Sequence, residues 1–318
     1  EQDFTSLLNK NWTLLVQAVD LWLPQTKKLL AEINFIPDWR LDDLMVSYAT
    51  KNSGIGPHFD YYDVIIFQGQ GQRHWQLGQN CNESNSLRKD NDLKILNEFI
   101  VSEEFTLECG DVLYIPPGVA HQGTSLDNSL SYSIGFRASS YAEIISQYAA
   151  TICDEFTEDQ RYSDPDLKPQ NSSAEISKES IKRMQTLLLE TLQNEKKIEQ
   201  WFGRHLTQRK YSETGNIPET EIELEEFFTV LTNGLILEKH PAARYAFYQN
   251  KDSTSLFADG EVFKIVEENK ASNSLLTELC DKNKQTINSL AYITQQDCIA
   301  LLCKLYNQGS LIEAEESE

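Results

Sequence analysis

Three residues are best placed to do chemistry: His58 and Asp60, in the stretch Gly56-Pro57-His58-Phe59-Asp60, and His121, which follows Pro116-Pro117-Gly118. In an extended backbone, residues i and i+2 point to the same face. A strand here therefore aims the His58 imidazole and the Asp60 carboxylate at one point. Pro57 favours that geometry, because its own φ is fixed and it pushes Gly56 out of the α region. Two histidines and a carboxylate make the facial triad that leaves positions open on non-haem Fe(II). A His-x-Asp/Glu triplet alone is weak evidence. With 5 histidines and 49 acidic residues in 318, about 0.8 such triplets arise by chance, and a surface ion pair is the plain alternative. Context raises its weight. The triplet follows a Gly/Pro loop, and Gly110-Asp111-Val112-Leu113-Tyr114-Ile115-Pro116-Pro117-Gly118 leads to the third ligand.

Other chemistries find less support. His74, His205 and His240 have no ligand partner at useful spacing. No Gly-x-Ser-x-Gly nucleophile elbow occurs. Gly69-Gln70-Gly71 reads as a turn between strands, not the strand-to-helix junction of a phosphate loop.

The elements that must position the triad read as β from Leu44 to Ala138. Leu44–Tyr48 is a strand. Val64-Ile65-Ile66-Phe67-Gln68 is a continuous apolar run, suited to a strand buried on both faces. Gly69 to Gln72 turns the chain, and Arg73–Leu77 returns as the hairpin partner of that strand. Residues 80–98 are a polar insertion. Phe105–Leu107, Val112–Ile115 and Ser129–Phe136 complete the set. Short strands with frequent turns suggest a sandwich or barrel.

Ahead of this region, Trp12, Leu15, Val16, Val19 and Trp22 carry helical spacing and predict a core-packed helix over residues 11–22. Leu29–Ile36 is a second short helix or turn. Beyond Ser139 the pattern is helical: Tyr141–Cys153, Ser177–Asn194 and Glu195–Arg209, separated by a loop at 159–175. Ile181, Met184, Leu187, Leu188 and Leu192 fall on one side of the second of these. Residues 211–221 are a polar linker. A helix at Leu224–Leu231, strands at 235–238, 244–248, 255–258 and 261–265, and helices at 274–280 and 297–306 make a winged-helix-like module. The tail from Glu313 is expected to be disordered.

The net charge is −21, from 28 basic and 49 acidic residues. Nucleic-acid binding draws on basic charge, so direct RNA or DNA contact is not expected. An acidic surface speeds encounter with a basic partner. No apolar run reaches the ~18 residues of a membrane span. Glu1-Gln2-Asp3-Phe4 lacks a basic region followed by an apolar run, so no secretory signal is expected there. Six scattered cysteines without Cys-x-x-Cys suit reduced thiols in a cytoplasm.

The flanking segments add a resemblance. Asp42–Ser47, Gly56-Pro57-His58-Phe59-Asp60-x-Tyr62-Asp63-Val64, Gln68-Gly69-x-Gly71-x-Arg73-x-Trp75, Gly110–Gly118 and Tyr132-Ser133-x-Gly135-Phe136-Arg137 are similar to the JmjC/cupin Fe(II)- and 2-oxoglutarate-dependent oxygenases. More narrowly, they and the later Tyr162–Asp166 and Gln200–Gly203 resemble the bacterial ribosomal oxygenases, which hydroxylate an arginine of large-subunit ribosomal protein L-sixteen. The resemblance implies an α+β chain in three parts. A JmjC double-stranded β-helix occupies 1–140 and is read as lacking an N-terminal segment that family members carry. A helical, dimerising region follows at 141–210, and a winged-helix-like domain at 211–318. It implies iron on His58, Asp60 and His121. The co-substrate 2-oxoglutarate would meet Arg73, with Ser47 and Ser133 as hydroxyl donors, since a guanidinium suits a carboxylate. Tyr61, Tyr62 and Asp63 lie near enough in sequence to contact a substrate. The implied reaction couples decarboxylation of 2-oxoglutarate to hydroxylation of a basic ribosomal protein by a cytoplasmic homodimer. Two alternatives stay open: another JmjC activity, on a histidyl residue or methylated lysine, and a non-catalytic cupin that binds a partner.

Overall fold

A computed structural model of the chain describes residues 10–33, 35–90, 92–211, 220–251, 254–265, 269–281 and 284–314. Most of the polar linker and the end of the acidic tail lie outside the described residues. Two compact units divide between Ala138 and Ser139.

The first unit is built from β1 (Thr13–Val16), α1 (Lys27–Ala31), β2 (Leu41–Ala49), β3 (Val64–Gln70), β4 (Arg73–Asn80), β5 (Val101–Leu107), β6 (Val112–Ile115), β7 (Val119–Ser125) and β8 (Ser129–Phe136). They form a five-stranded sheet, ordered β1-β2-β8-β3-β6, and a three-stranded sheet, ordered β5-β4-β7. The apolar run of β3 is buried on both faces, as its composition requires. Ile65 joins Leu44, Ile134 and Phe136 in one cluster, while Val64 and Ile66 join Trp75, Leu107 and Ile115 in another.

Three expectations are corrected. β3 and β4 are not hairpin partners. β3 already has β8 on one side and β6 on the other, so no lateral position remains, and β4 crosses to the second sheet. Gly71, at φ 66°, makes the crossing turn, and the Gln68 side-chain amide donates to Gln70 O at 2.9 Å to brace it. Residues 11–22 do not form a helix. Thr13–Val16 pair antiparallel with Ala49–Val46 of β2, and a 3-10 turn follows at Val19–Leu21. Backbone pairing along β2 outweighs the apolar spacing. Two carboxylates fix the turn: Asp43 accepts from Ala18 N at 3.2 Å and Asp20 from Leu44 N at 2.9 Å. Only Val19 of the expected core stripe is buried, and Trp22 is 68% exposed. Finally, the histidine after Pro-Pro-Gly lies inside a strand, β7.

The second unit begins with α2 (Tyr141–Cys153), α3 (Lys178–Leu192) and α4 (Glu195–Thr207). A capping box of Ser140 and Glu143 starts α2. Next come α5 (Leu224–Thr232), β9 (Leu237–Lys239), β10 (Tyr245–Gln249), β11 (Thr254–Ala258), β12 (Glu261–Ile265), α6 (Lys270–Cys280), β13 (Thr286–Ile287), α7 (Gln296–Asn307) and β14 (Leu311–Glu313). β10-β11-β12 make a meander, and β13-β9-β14 a second small sheet. Phe227, Leu231, Leu256, Leu275 and Leu302 share their core. Glu313, expected in a disordered tail, closes β14. All six cysteines are free. Among the described residues no helix is long and apolar enough to cross a membrane.

Candidate metal and co-substrate centre

His58, Asp60 and His121 come together. Each offers one ligand atom, and these atoms all lie within 4.8 Å of one another. His121 is buried, and its Nε2 sits 3.7 Å from Asp60 Oδ2. The segment carrying His58 and Asp60 is extended without being a full strand. It is tied to β7 by an isolated bridge between His58 and His121, and by Gly118 N donating to Asp60 O at 2.7 Å.

The same local device orients both rings. His58 Nδ1 lies 2.9 Å from Gly56 O, and His121 Nδ1 lies 3.0 Å from Val119 O. A carbonyl accepts, so each Nδ1 carries the proton and each Nε2 keeps its lone pair. Burial, and then the neighbouring His58, push the His121 pKa below its ordinary value. The neutral, ligating form is thereby favoured at pH 7. Two imidazole nitrogens and a carboxylate on one point fit a divalent transition metal.

Arg73 lies on the inward face of β4, 5% exposed. Its Nη1 donates to Ser131 Oγ at 2.8 Å and Ser47 Oγ at 3.1 Å, and its Nη2 donates to Ser129 Oγ at 3.1 Å. Ser125 and Ser129 hydroxyls bond each other at 2.7 Å. Among the described residues no carboxylate pairs with this guanidinium. Burial alone lowers its pKa, to about 10, so it remains a cation at pH 7. A buried, uncompensated cation held by neutral hydroxyls is an anion receptor.

Of the hydroxyls expected beside Arg73, Ser47 is there. Ser133 stands on the same face of β8 as Ser129 and Ser131, but the bonds to Arg73 come from those two. The alternation Ser129-x-Ser131-x-Ser133 in an expected strand was the available signal. Burial, and then Asp60, push the Tyr62 pKa above its ordinary value; Asp43 and Asp42 add to the same effect. Tyr61 is exposed. Asp63 accepts from Tyr114 Oη at 2.7 Å. His74 points away from the centre, 3.8 Å from Glu104.

Residues 28–144 match the JmjC domain family, and residues 190–312 the ROXA-like winged helix. The chain is 36% identical over 242 residues to ribosomal protein uL16 3-hydroxylase of Escherichia coli (strain K12), covering 74% of this chain and 63% of that protein. The structure of E. coli YcfD matches with a TM-score of 0.81 and 30% identity, covering 95% of this chain and 79% of that one. The ribosomal oxygenase YcfD in complex with cobalt and 2-oxoglutarate matches with a TM-score of 0.77 and 30% identity, over 95% and 78%.

Proposed function

The chain belongs to the JmjC-domain family that carries a ROXA-like winged helix, and from that premise we propose that it is an Fe(II)- and 2-oxoglutarate-dependent hydroxylase of an arginine in large-subunit ribosomal protein uL16. One observation carries the proposal: the same β-rich unit brings together a His-Asp-His cluster and holds, on β4, a buried arginine that pairs with no carboxylate among the described residues. Iron, when bound, supplies activation of O2 coupled to oxidative decarboxylation of 2-oxoglutarate and insertion of one oxygen atom into a C–H bond.

The chain's own residues hold and orient. His58 Nε2, His121 Nε2 and Asp60 take the metal. Arg73 takes the far carboxylate of 2-oxoglutarate, steadied by Ser47, Ser129 and Ser131. Ser133 offers a further hydroxyl from the same face of β8. Asp60, Asp43 and Asp42 all raise the pKa of the Tyr62 hydroxyl, and carboxylates gathered on that side support a basic substrate side chain, although Arg137 already lies 3.6 Å from Asp42 and Ala18 N donates to Asp43. Gly135 keeps a slot open there. A methyl at its Cα would meet only the Tyr62 ring at 3.7 Å and Asp43 Oδ1 at 3.9 Å.

The net charge of −21 favours a basic protein over direct nucleic-acid contact. A ribosomal substrate supports a cytoplasmic location. The exposed side of α3 supports a homodimer: Ile181, Met184, Leu187, Leu188 and Leu192 are all exposed, and no residue of that helix is buried. Such a stripe is costly in water, which supports a second copy as its cover.

The test is incubation with Fe(II), 2-oxoglutarate and an arginine-containing uL16 peptide, read by mass spectrometry. Gain of one oxygen on arginine, absent with His121→Ala, is the expected result. Succinate without peptide oxidation would keep the oxygenase and reject this substrate. Neither product, with no iron bound, would remove the enzyme reading.

A further inference from the structure

The barrel interior holds a hydrogen-bond donor that the protein itself does not satisfy. Trp75 is 7% exposed, and its Nε1–H has no partner among the described residues. Its buried neighbours Val64, Ile66, Leu107 and Ile115 are apolar. The indole lies against the backbone of β7. A methyl added at Gly123 would come 2.9–3.1 Å from three of its ring carbons, a closer approach than any side chain there allows. Its ring centroid is 6.2 Å from that of His121, on the same strand as Gly123.

A buried indole N–H ordinarily finds an acceptor, and leaving one unmade is costly. A phenylalanine would fill nearly the same volume without that cost. The register says what the donor faces. Along the β4–β7 ladder, Arg73 stands opposite Ser125, Trp75 opposite Gly123 and Leu77 opposite His121. Arg73 and Trp75 share the inward face of β4, since residues i and i+2 do. The indole therefore stands between the anion-receiving guanidinium and the level of the metal cluster.

We propose that Trp75 is a co-substrate-binding residue: its indole N–H donates a hydrogen bond to a carboxylate oxygen of the 2-oxo dicarboxylate held between Arg73 and the His58-Asp60-His121 centre. The inference rests on the oxygenase reading above and adds to it a third side-chain contact, from a residue that an aromatic core role does not account for. The donor is satisfied only when the co-substrate is bound, so Trp75 discriminates for an oxygen-bearing ligand over an apolar one.

The test is Trp75→Phe, titrated with Co(II) alone and then with 2-oxoglutarate in the presence of Co(II), by calorimetry. Loss of one hydrogen bond to a charged acceptor weakens 2-oxoglutarate by about tenfold. Co(II) affinity stays as in the wild type, and the melting temperature of the ligand-free protein is unchanged or higher. A purely structural tryptophan gives the reverse pattern, a lower melting temperature with unaltered 2-oxoglutarate affinity, and overturns the inference while leaving the oxygenase reading intact. A wild-type protein that binds Co(II) but no 2-oxoglutarate overturns both. Should the variant not fold, the wild type gives a second readout. With Zn(II) bound, 2-oxoglutarate shifts one buried, slowly exchanging indole cross-peak of the five tryptophans in the proton–nitrogen spectrum. No shift in that peak on saturation overturns the proposal.

Discussion

His58 and His121 exchange a pair of backbone hydrogen bonds: His58 N–H donates to His121 C=O at 3.0 Å, and His121 N–H donates to His58 C=O at 2.8 Å. The main chain therefore holds the two residues side by side, and their ring centroids sit 4.3 Å apart. Removing one side chain should not undo that bridge. His121→Ala is expected to lower Co(II) affinity by more than about 100-fold, beyond the usual effect of losing an outer partner. Its ligand-free melting temperature should fall by only a few degrees. Titration and circular dichroism check the two halves, and a protein that unfolds outright would contradict the backbone argument.

The loop that delivers His58 is pinned just as tightly. A methyl on Gly54 would collide with the carbonyl oxygen of Gly123 in β7, and neither is a flexible side-chain end that can swing away. Gly54→Ala is expected to lose Co(II) affinity by more than about tenfold and to melt earlier, because the loop must lift off β7. Gly110→Ala is the control. Gly110 has φ 97° but nothing within 4 Å of an added methyl, so it costs about 1–2 kcal/mol of backbone strain and leaves Co(II) affinity alone. Equal metal affinity in both variants would refute the positional role of Gly54.

What was legible in the sequence follows from which forces are local. The His58-x-Asp60 pair, the buried run of β3 and the amphipathic helices are patterns of residues near one another in the chain, and they survive folding, whereas His121 joins the pair only through the pairing of its strand. The partner of β4 is not local. Only the occupancy of both edges of β3, by β6 and β8, shows that Arg73–Asn80 must pair elsewhere. β7 was illegible for a related reason. Val119-Ala-His-Gln-Gly-Thr-Ser125 has little apolar content and becomes a strand by pairing with β4. Trp12 to Trp22 carried a helical pattern, but the open edge of β2 offered backbone partners that outweighed it. Ser129 and Ser131 share the alternation that ends at Ser133, but which of the three reaches the guanidinium depends on the register of β8 against β2 and on the reach of Arg73 from the other sheet.

The stripe on α3 makes a prediction about assembly. Leu188 is 52% exposed, with Met184 and Leu192 one turn to either side. Leu188→Glu places a charge in the centre of that stripe. A protein that sediments as a dimer is expected to dissociate by at least about 100-fold, with unchanged helix content. Sedimentation velocity across a concentration series decides it. An unaltered sedimentation coefficient would mean that this face is not where copies meet.

Arg73 carries the last and most discriminating prediction. A buried guanidinium with no carboxylate costs the folded protein energy that hydroxyls from Ser47, Ser129 and Ser131 only partly return. The ordinary expectation for deleting a buried charge is destabilisation, because a partner charge is left unpaired. Here none is left, since the partners are neutral serines, and Ser125 and Ser129 continue to bond each other. Arg73→Met, similar in length and without a charge to desolvate, should therefore melt within a few degrees of the wild type, or above it. The rise in melting temperature that saturating 2-oxoglutarate gives the Co(II)-bound wild type should vanish. Ser131→Ala should fall between the two. The guanidinium keeps its charge, because burial brings its pKa only to about 10, but loses its 2.8 Å anchor, so 2-oxoglutarate weakens by about 3- to 10-fold with Co(II) affinity intact. A strongly destabilised Arg73→Met with retained 2-oxoglutarate stabilisation would show the cation to be a structural member of the barrel, and the co-substrate would have to be anchored elsewhere.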